Sequence, residues 1–242
     1  MKYLTKSKFK LATECPTKLF YTGKKQYANT SLDNPFLEAL AEGGFQVGEL
    51  AKLYYPGGHN IDTLDYDEAL KQTNKLLEQD NVIIYEAAIK HNNLLFIRVD
   101  VLVKRGSFIK LFEVKAKSID VSSGDVFLTK DGNKVLAEWK PYLFDIAFQR
   151  YVVHSAFPDS SVTAYLFLTD KTAITPTDGL NQKFQITEDK NHRKGVKVTS
   201  TLNSDDLSVK LLREISVDVH CDLIFNTEAG ADARGTGFVD RI

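Results

Sequence analysis

Two stretches of this chain put charges inside apolar β runs, and they narrow its possible folds more than any other feature. Arg98-Val99-Asp100-Val101-Leu102-Val103 and Leu111-Phe112-Glu113-Val114-Lys115 read as strands, and each carries a carboxylate among its apolar residues. A carboxylate in a buried strand is costly unless it is paired or bound to a metal. Residues two apart on a strand share a face, so Glu113 and Lys115 project together, and Asp100 on a neighbouring antiparallel strand reaches that face too. Two carboxylates and an ammonium group at a strand end suit Mg²⁺ or Mn²⁺, with a water whose pKa the ion lowers. A structural ion pair, Glu113 with Lys115 or Asp100 with Arg98, is the competing reading of the same spacing.

The flanking pattern predicts an α/β fold. Ser7 to Tyr21 reads as a short helix with Ser7 as cap, interrupted at Pro16. Asn34 to Tyr55 reads as a longer helix, or two pieces meeting at Gly43-Gly44, ended by Pro56-Gly57-Gly58. Asp65 to Gln79 is a third helix, with Asp65 as cap and Glu68 three residues on. Val82 to Ile89, Leu94 to Val103 and Phe108 to Val114 form a three-stranded meander, joined by His91-Asn92-Asn93 and Lys104-Arg105-Gly106. Pro141 to His154 returns to helical spacing and Val162 to Leu168 is a fourth strand, so the helix is a crossover that predicts a parallel pair. Beyond Thr169 come strands at Leu180 to Thr187 and Gly195 to Val198, then a helix from Ser204 to Ile215 capped by Ser204. The 242 residues, 43% hydrophobic, suffice for one core, set at residues 1–225. Residues 226–242, rich in Gly, Ala and Asp, read as a flexible tail or linker.

Composition excludes several classes. Two cysteines, Cys15 and Cys221, cannot build a disulfide framework or a four-cysteine metal site. The opening MKYLTKSKFK lacks the apolar stretch of a secretory signal and no run is long enough to span a membrane, so a soluble, cytoplasmic protein without a membrane partner is expected. The formal net charge of −1 conceals an uneven distribution. Met1 to Tyr27 holds 7 Lys and 1 Glu, a balance of +6, whereas Ala28 to Asp80 holds 10 acidic residues and 3 Lys, a balance of −7. A phosphate-binding edge beside a metal-binding cleft would produce this pattern, as would ordinary unevenness of surface charge.

The segment IRVDVLVKRGSFIKLFEVKAKS resembles the core of the PD-(D/E)XK nuclease superfamily, in its RecB-like, CRISPR-associated-exonuclease-like branch. YEAAI stands one strand earlier, PYLFDIAFQRYVV follows, and the opening TKSKFKLATECPTKLFY is similar to the start of such nucleases. The likeness extends from about Thr5 to Asp170, more weakly to Ile224, and is nearest to a bacterial family that carries this module at its N-terminus. It implies a restriction-endonuclease-like core, a mixed central sheet flanked by helices, with N-terminal helical additions. It also implies a metal-dependent nuclease that hydrolyses DNA by attack of metal-activated water, in DNA repair or phage defence.

Residue by residue, the resemblance makes Asp100 and Glu113 the metal carboxylates, with the Val114 carbonyl completing the set. Lys115 is the catalytic lysine that orients the water and offsets phosphate charge, and Gln149 is the glutamine of the following helix. Asp145, four residues before Gln149, and Tyr142 share its helical face, which is either supporting or simply exposed. Where relatives carry a metal-binding histidine on a helix, GGFQVGELAKLYYPGG has Glu49, either a replacement ligand or helix surface, and His59 lies too far along. Glu86, a charge inside an apolar strand, is either near the site or on an edge. Cluster-binding relatives use one early and three late cysteines; Cys221 is the single late one here, so no iron–sulfur cluster is expected and Cys15 reads as a small core residue. Val153 stands where relatives often place a tyrosine.

Lys6, Lys8, Lys10 and Lys18, interleaved with Phe9, Phe20 and Tyr21, form a candidate nucleic-acid-binding arm, with helix packing preferred for Phe9 and Phe20. Asp125 to Glu138 reads as a surface hairpin that could shape the entrance to the site. The partner is DNA, with RNA cleavage and a catalytically inactive nucleic-acid-binding or assembly module as alternatives.

Overall fold

Alternating apolar residues in the three central runs pair them into a meander at the middle of a larger sheet. The computed structural model describes residues 3–27, 34–188 and 194–242. Ahead of the meander lie β1 (Leu4–Thr5), α1 (Lys6–Glu14), α2 (Pro16–Tyr21), α3 (Pro35–Tyr54), β2 (His59–Asn60) and α4 (Tyr66–Leu77). The meander is β3 (Asn81–His91), β4 (Leu95–Arg105) and β5 (Phe108–Ile119). After it come α5 (Lys140–Ala156), β6 (Ser161–Asp170), β7 (Phe184–Glu188), β8 (Lys194–Val198), β9 (Leu212–Ser216) and α6 (Asp218–Asn226).

The main sheet runs β2-β3-β4-β5-β6-β9, with β1 added to β4; β7 and β8 form a separate hairpin. The β3–β4 and β4–β5 pairs are antiparallel, and β5–β6 is the parallel pair predicted from the α5 crossover. The sheet is therefore mixed and flanked by helices. Leu102, Leu111, Leu166 and Leu168 pack to one side with residues of α1, α4, α5 and α6. Val101, Val103, Phe112 and Phe167 pack to the other with Leu50 and Ala51 of α3 and Phe184 of β7. No helix among the described residues is long and apolar enough to cross a membrane.

Local signals explain most helix boundaries. Thr5, not Ser7, caps α1, its hydroxyl accepting from the Lys8 N–H at 3.4 Å. Pro16 ends that helix and opens α2. Asn34 caps α3 by accepting from the N–H groups of Phe36 and Leu37, and the helix continues through Gly43-Gly44 because Leu50 and Ala51 beyond them are anchored in the core. Asp65 caps α4 as its spacing predicts.

Four expectations need correction. Ser204 to Ile215 is not a helix: its end is β9, paired antiparallel with β6, where sheet pairing overrides local propensity. Residues 226–242 are not a loose tail. Phe238 is fully buried, edge-on to Phe9 at 5.1 Å and Phe144 at 5.0 Å, and the Arg241 guanidinium bonds the Gly230 carbonyl. Cys15 is exposed at the α1–α2 junction, not a core residue, whereas Cys221 is buried on α6. Phe20, expected in helix packing, is also exposed, with the Lys24 ammonium 3.2 Å from its ring centre, while Phe9 is buried against Phe148.

Phe238→Ala should destabilise the fold by about 3–5 kcal/mol in urea denaturation, the range for deleting a buried aromatic side chain. A loss below about 1 kcal/mol would mean that the C-terminal segment is not docked. The cysteines give a second check. The main-chain N–H groups of Lys18 and Thr17 favour the Cys15 thiolate and lower its pKa, whereas burial pushes Cys221 up to about 12. At pH 8 a thiol reagent should titrate Cys15 rapidly in the native protein and Cys221 only after denaturation. Two fast thiols would contradict the packing of α6.

Candidate active site

The β4–β5 ladder stops at the Val101–Phe112 pair, and the next residues on the two strands are Asp100 and Glu113. The carboxylates thus stand where the strands part. Separation leaves the Val114 N–H without a β4 partner, and the Asp100 side chain takes it, Oδ2 accepting at 2.7 Å. Just beyond Lys115 the β5–β6 register shifts as well. On β3, Glu86 has φ of +56° in the middle of an 11-residue strand and falls between the Tyr85–Val101 and Ala87–Val99 pairs. A non-glycine residue in that region is strained, and such strain concentrates at functional sites.

Glu113 is the centre of the cluster and is fully buried. Lys6 Nζ lies 2.7 Å from its Oε1 and 2.9 Å from its Oε2; Lys115 Nζ lies 2.5 Å from Oε1, and Gln149 Nε2 donates to Oε2 at 2.6 Å. Lys115 also faces Asp145 Oδ2 at 3.6 Å. Burial opposes ionisation of Glu113, but the ammonium groups of Lys6 and Lys115 outweigh it and hold the carboxyl well below its usual range. Burial likewise opposes the charge on Lys6 and Lys115, and Glu113 raises both above the ordinary lysine value. Asp100 and Asp145 move the other way: burial, and then the Glu113 charge, push both carboxyls up. Burial also raises Glu86.

Lys6, Glu86, Asp100, Glu113 and Lys115 line the floor of a cleft of about 800 Å³. Its walls are the α3 face bearing Leu40, Gly44, Phe45 and Gly48, the β8 residues Gly195 and Val196, and Tyr142 of α5. Glu49 of α3 borders the same cleft, paired with Lys52 at 2.6 Å. Asp100, Glu113, Val114, Lys115, Glu49, Glu86 and Tyr142 are therefore gathered around one space. Asp145 and Gln149 stand behind its floor as buried residues of α5, not on an exposed polar face.

The lysines of the N-terminal arm disperse. Lys6 turns inward to Glu113, Lys8 donates to the Tyr3 carbonyl at 2.6 Å, Lys18 pairs with Glu14 at 2.9 Å, and Lys10 is exposed on α1. His59 sits on the edge strand β2, beside a different surface cavity. The 125–138 excursion does not line the cleft; Asn133, Lys134 and Val135 border a separate cavity with residues of the 223–235 stretch. That excursion is anchored by buried Phe127, edge-on to Trp139 at 5.0 Å, and by Asp125, 2.9 Å from His220.

The donors fit a hard divalent cation in their chemistry. Asp100 and Glu113 offer carboxylate oxygens, and Val114 a main-chain carbonyl. The carboxyls of Glu86, Asp100, Glu113 and Asp145 share the cluster with the ammonium groups of Lys6 and Lys115, and a cation would favour the ionised form that burial opposes at Glu86, Asp100 and Asp145. Gln149 Oε1 is buried without a partner, a spare acceptor beside Glu113. Among the described residues, no group of three or more His, Cys, Asp and Glu is arranged to hold a metal by itself. Lys6, expected on the nucleic-acid-binding arm, reaches Glu113 across 107 positions that no spacing connects, whereas Lys52 joins the site through a pairing with Glu49 at the helical i,i+3 spacing.

No protein-family model matches the chain, and a search of curated proteins finds no match. The geometry around Glu113 therefore carries the functional argument.

The strain at Glu86 is directly measurable. Glu86→Gly should be about 1 kcal/mol more stable than Glu86→Ala, because glycine accepts the positive φ that alanine does not. Equal stabilities in thermal unfolding would show that the residue does not hold this conformation in solution.

Proposed function

We propose that the chain is a metal-dependent nuclease of the PD-(D/E)XK type that hydrolyses DNA phosphodiester bonds. The observation that carries this reading is the meeting of Asp100, Glu113 and Lys115 at the floor of one cleft, with Gln149 bonded to Glu113 from the helix behind. The order of meander, crossover helix and parallel strand supports a restriction-endonuclease-like core.

In this reading Asp100, Glu113 and the Val114 carbonyl would hold Mg²⁺ or Mn²⁺, and Glu49, which borders the same cleft, would be a further carboxylate for it. When bound, the ion supplies a more acidic water and offsets charge on the phosphate. Lys115 donates hydrogen bonds to the attacking water and positions it. Burial and Asp145 hold the Lys115 side chain toward Glu113, which reduces the entropy lost on reaching the reactive geometry. Gln149 fixes the Glu113 carboxylate by its Nε2 bond. Tyr142 and Phe45 offer aromatic faces at the cleft for a base next to the scissile phosphate.

A second reading, a nucleic-acid-binding or assembly module without catalysis, draws on a specific feature. Both Glu113 oxygens already accept hydrogen bonds from protein groups. RNA in place of DNA would use the same cleft and the same residues.

Purified protein with Mn²⁺ should degrade single- or double-stranded DNA, and Lys115→Ala and Asp100→Ala should each lower the rate at least about 100-fold while remaining folded by circular dichroism. Equal rates in all three proteins would refute the assignment. Cleavage of RNA alone would keep the site and change the substrate, and metal-independent binding without cleavage would favour the second reading.

A further inference from the structure

Glu113 presents about four lone-pair directions, as any carboxylate does, and the protein fills them. Lys6 straddles both oxygens at 2.7 and 2.9 Å, Lys115 adds 2.5 Å to Oε1, and Gln149 adds 2.6 Å to Oε2. Any cation that coordinates Glu113 must therefore take the place of one of these donors.

The three donors differ in how easily they can leave. Gln149 is fully buried on α5, between residues that are themselves packed in the core, so its amide has nowhere to turn. Lys115 rises from the same strand as Glu113 and is held a second time by Asp145. Lys6 comes from the first turn of a nine-residue helix, and its side chain reaches across the chain to the edge of the cleft. Its four-carbon stem can rotate the ammonium group away while the backbone stays in place. That backbone is fixed independently, since Phe9, one turn further along α1, stacks on Phe148 at 4.7 Å. The helix that carries Lys6 is anchored, and the reach of its ammonium group to Glu113 is set by side-chain torsions alone.

We propose that Lys6 is a resident counter-ion of this site, whose ammonium group straddles the Glu113 carboxylate in the cation-free protein and is exchanged for the divalent cation on loading. This rests on the reading that Asp100 and Glu113 hold such an ion. Lys6 is thus a positioning residue: its two hydrogen bonds fix how the Glu113 carboxylate is turned, and it competes with a divalent ion for the same oxygens.

Isothermal titration of Mn²⁺ into wild type, Lys6→Met and Glu113→Gln tests the proposal at constant ionic strength and pH. Lys6→Met keeps most of the stem and removes the charge, so Mn²⁺ should bind about tenfold more tightly than to wild type, while Glu113→Gln should abolish binding. Should Lys6→Met not fold, Lys6→Gln, which keeps a hydrogen-bond donor without the charge, should give a smaller tightening in the same direction. Equal or weaker Mn²⁺ binding in the folded Lys6 variants, with wild type binding normally, would overturn the exchange and leave the metal site standing. Absence of binding to wild type and Lys6 variants alike would overturn both. Binding to Lys6→Met with none to wild type would support the exchange in its strongest form.

Discussion

A buried Glu113 carboxylate is the constraint around which this molecule is arranged. An ion with no access to water must be satisfied by its neighbours, and removing one partner of such a group typically costs 3–5 kcal/mol, by order of magnitude, because the other charge is left stranded. The partners are drawn from three separate elements: α1 through Lys6, β5 through Lys115, and α5 through Gln149. Each element is independently anchored in the core, by Phe9, by Leu111 and Phe112, and by Phe148 and Val152. Charge satisfaction therefore ties together parts of the fold that hydrophobic burial alone would not align to within a hydrogen bond.

The backbone irregularities gather at the same place. The β4–β5 ladder ends beside the carboxylates, β5 shifts its register after Lys115, and β3 turns through a left-handed residue at Glu86. Elsewhere the meander is regular, with ten Cα partners recorded between β3 and β4. Concentrated departures from local preference mark a site whose geometry is held by the surrounding structure rather than by its own sequence.

The central elements were legible because their patterns are strong. Alternation gives the meander, the crossover gives the parallel β5–β6 pair, and Asp65 caps its helix as its spacing requires. Asp100, Glu113 and Lys115 stood out as charges in apolar strands, and they do converge on one cleft. The misread parts depend on distant contacts. Leu212 belongs to a strand because β6 offers it an edge, and the C-terminal segment is ordered by one buried ring, Phe238, among many small residues. Lys6 resembled the other lysines of its arm, and nothing near it in sequence distinguishes the one that turns inward. Cys15 looked apolar by type, yet it lies at a helix junction where its neighbours on both sides are exposed.

The packing of Phe238 on Phe9 joins late and early parts of the chain directly behind the Lys6 helix. Phe9 also stacks on Phe148 of α5, so the helix that carries Lys6 is clasped by rings from two later and widely separated parts of the chain.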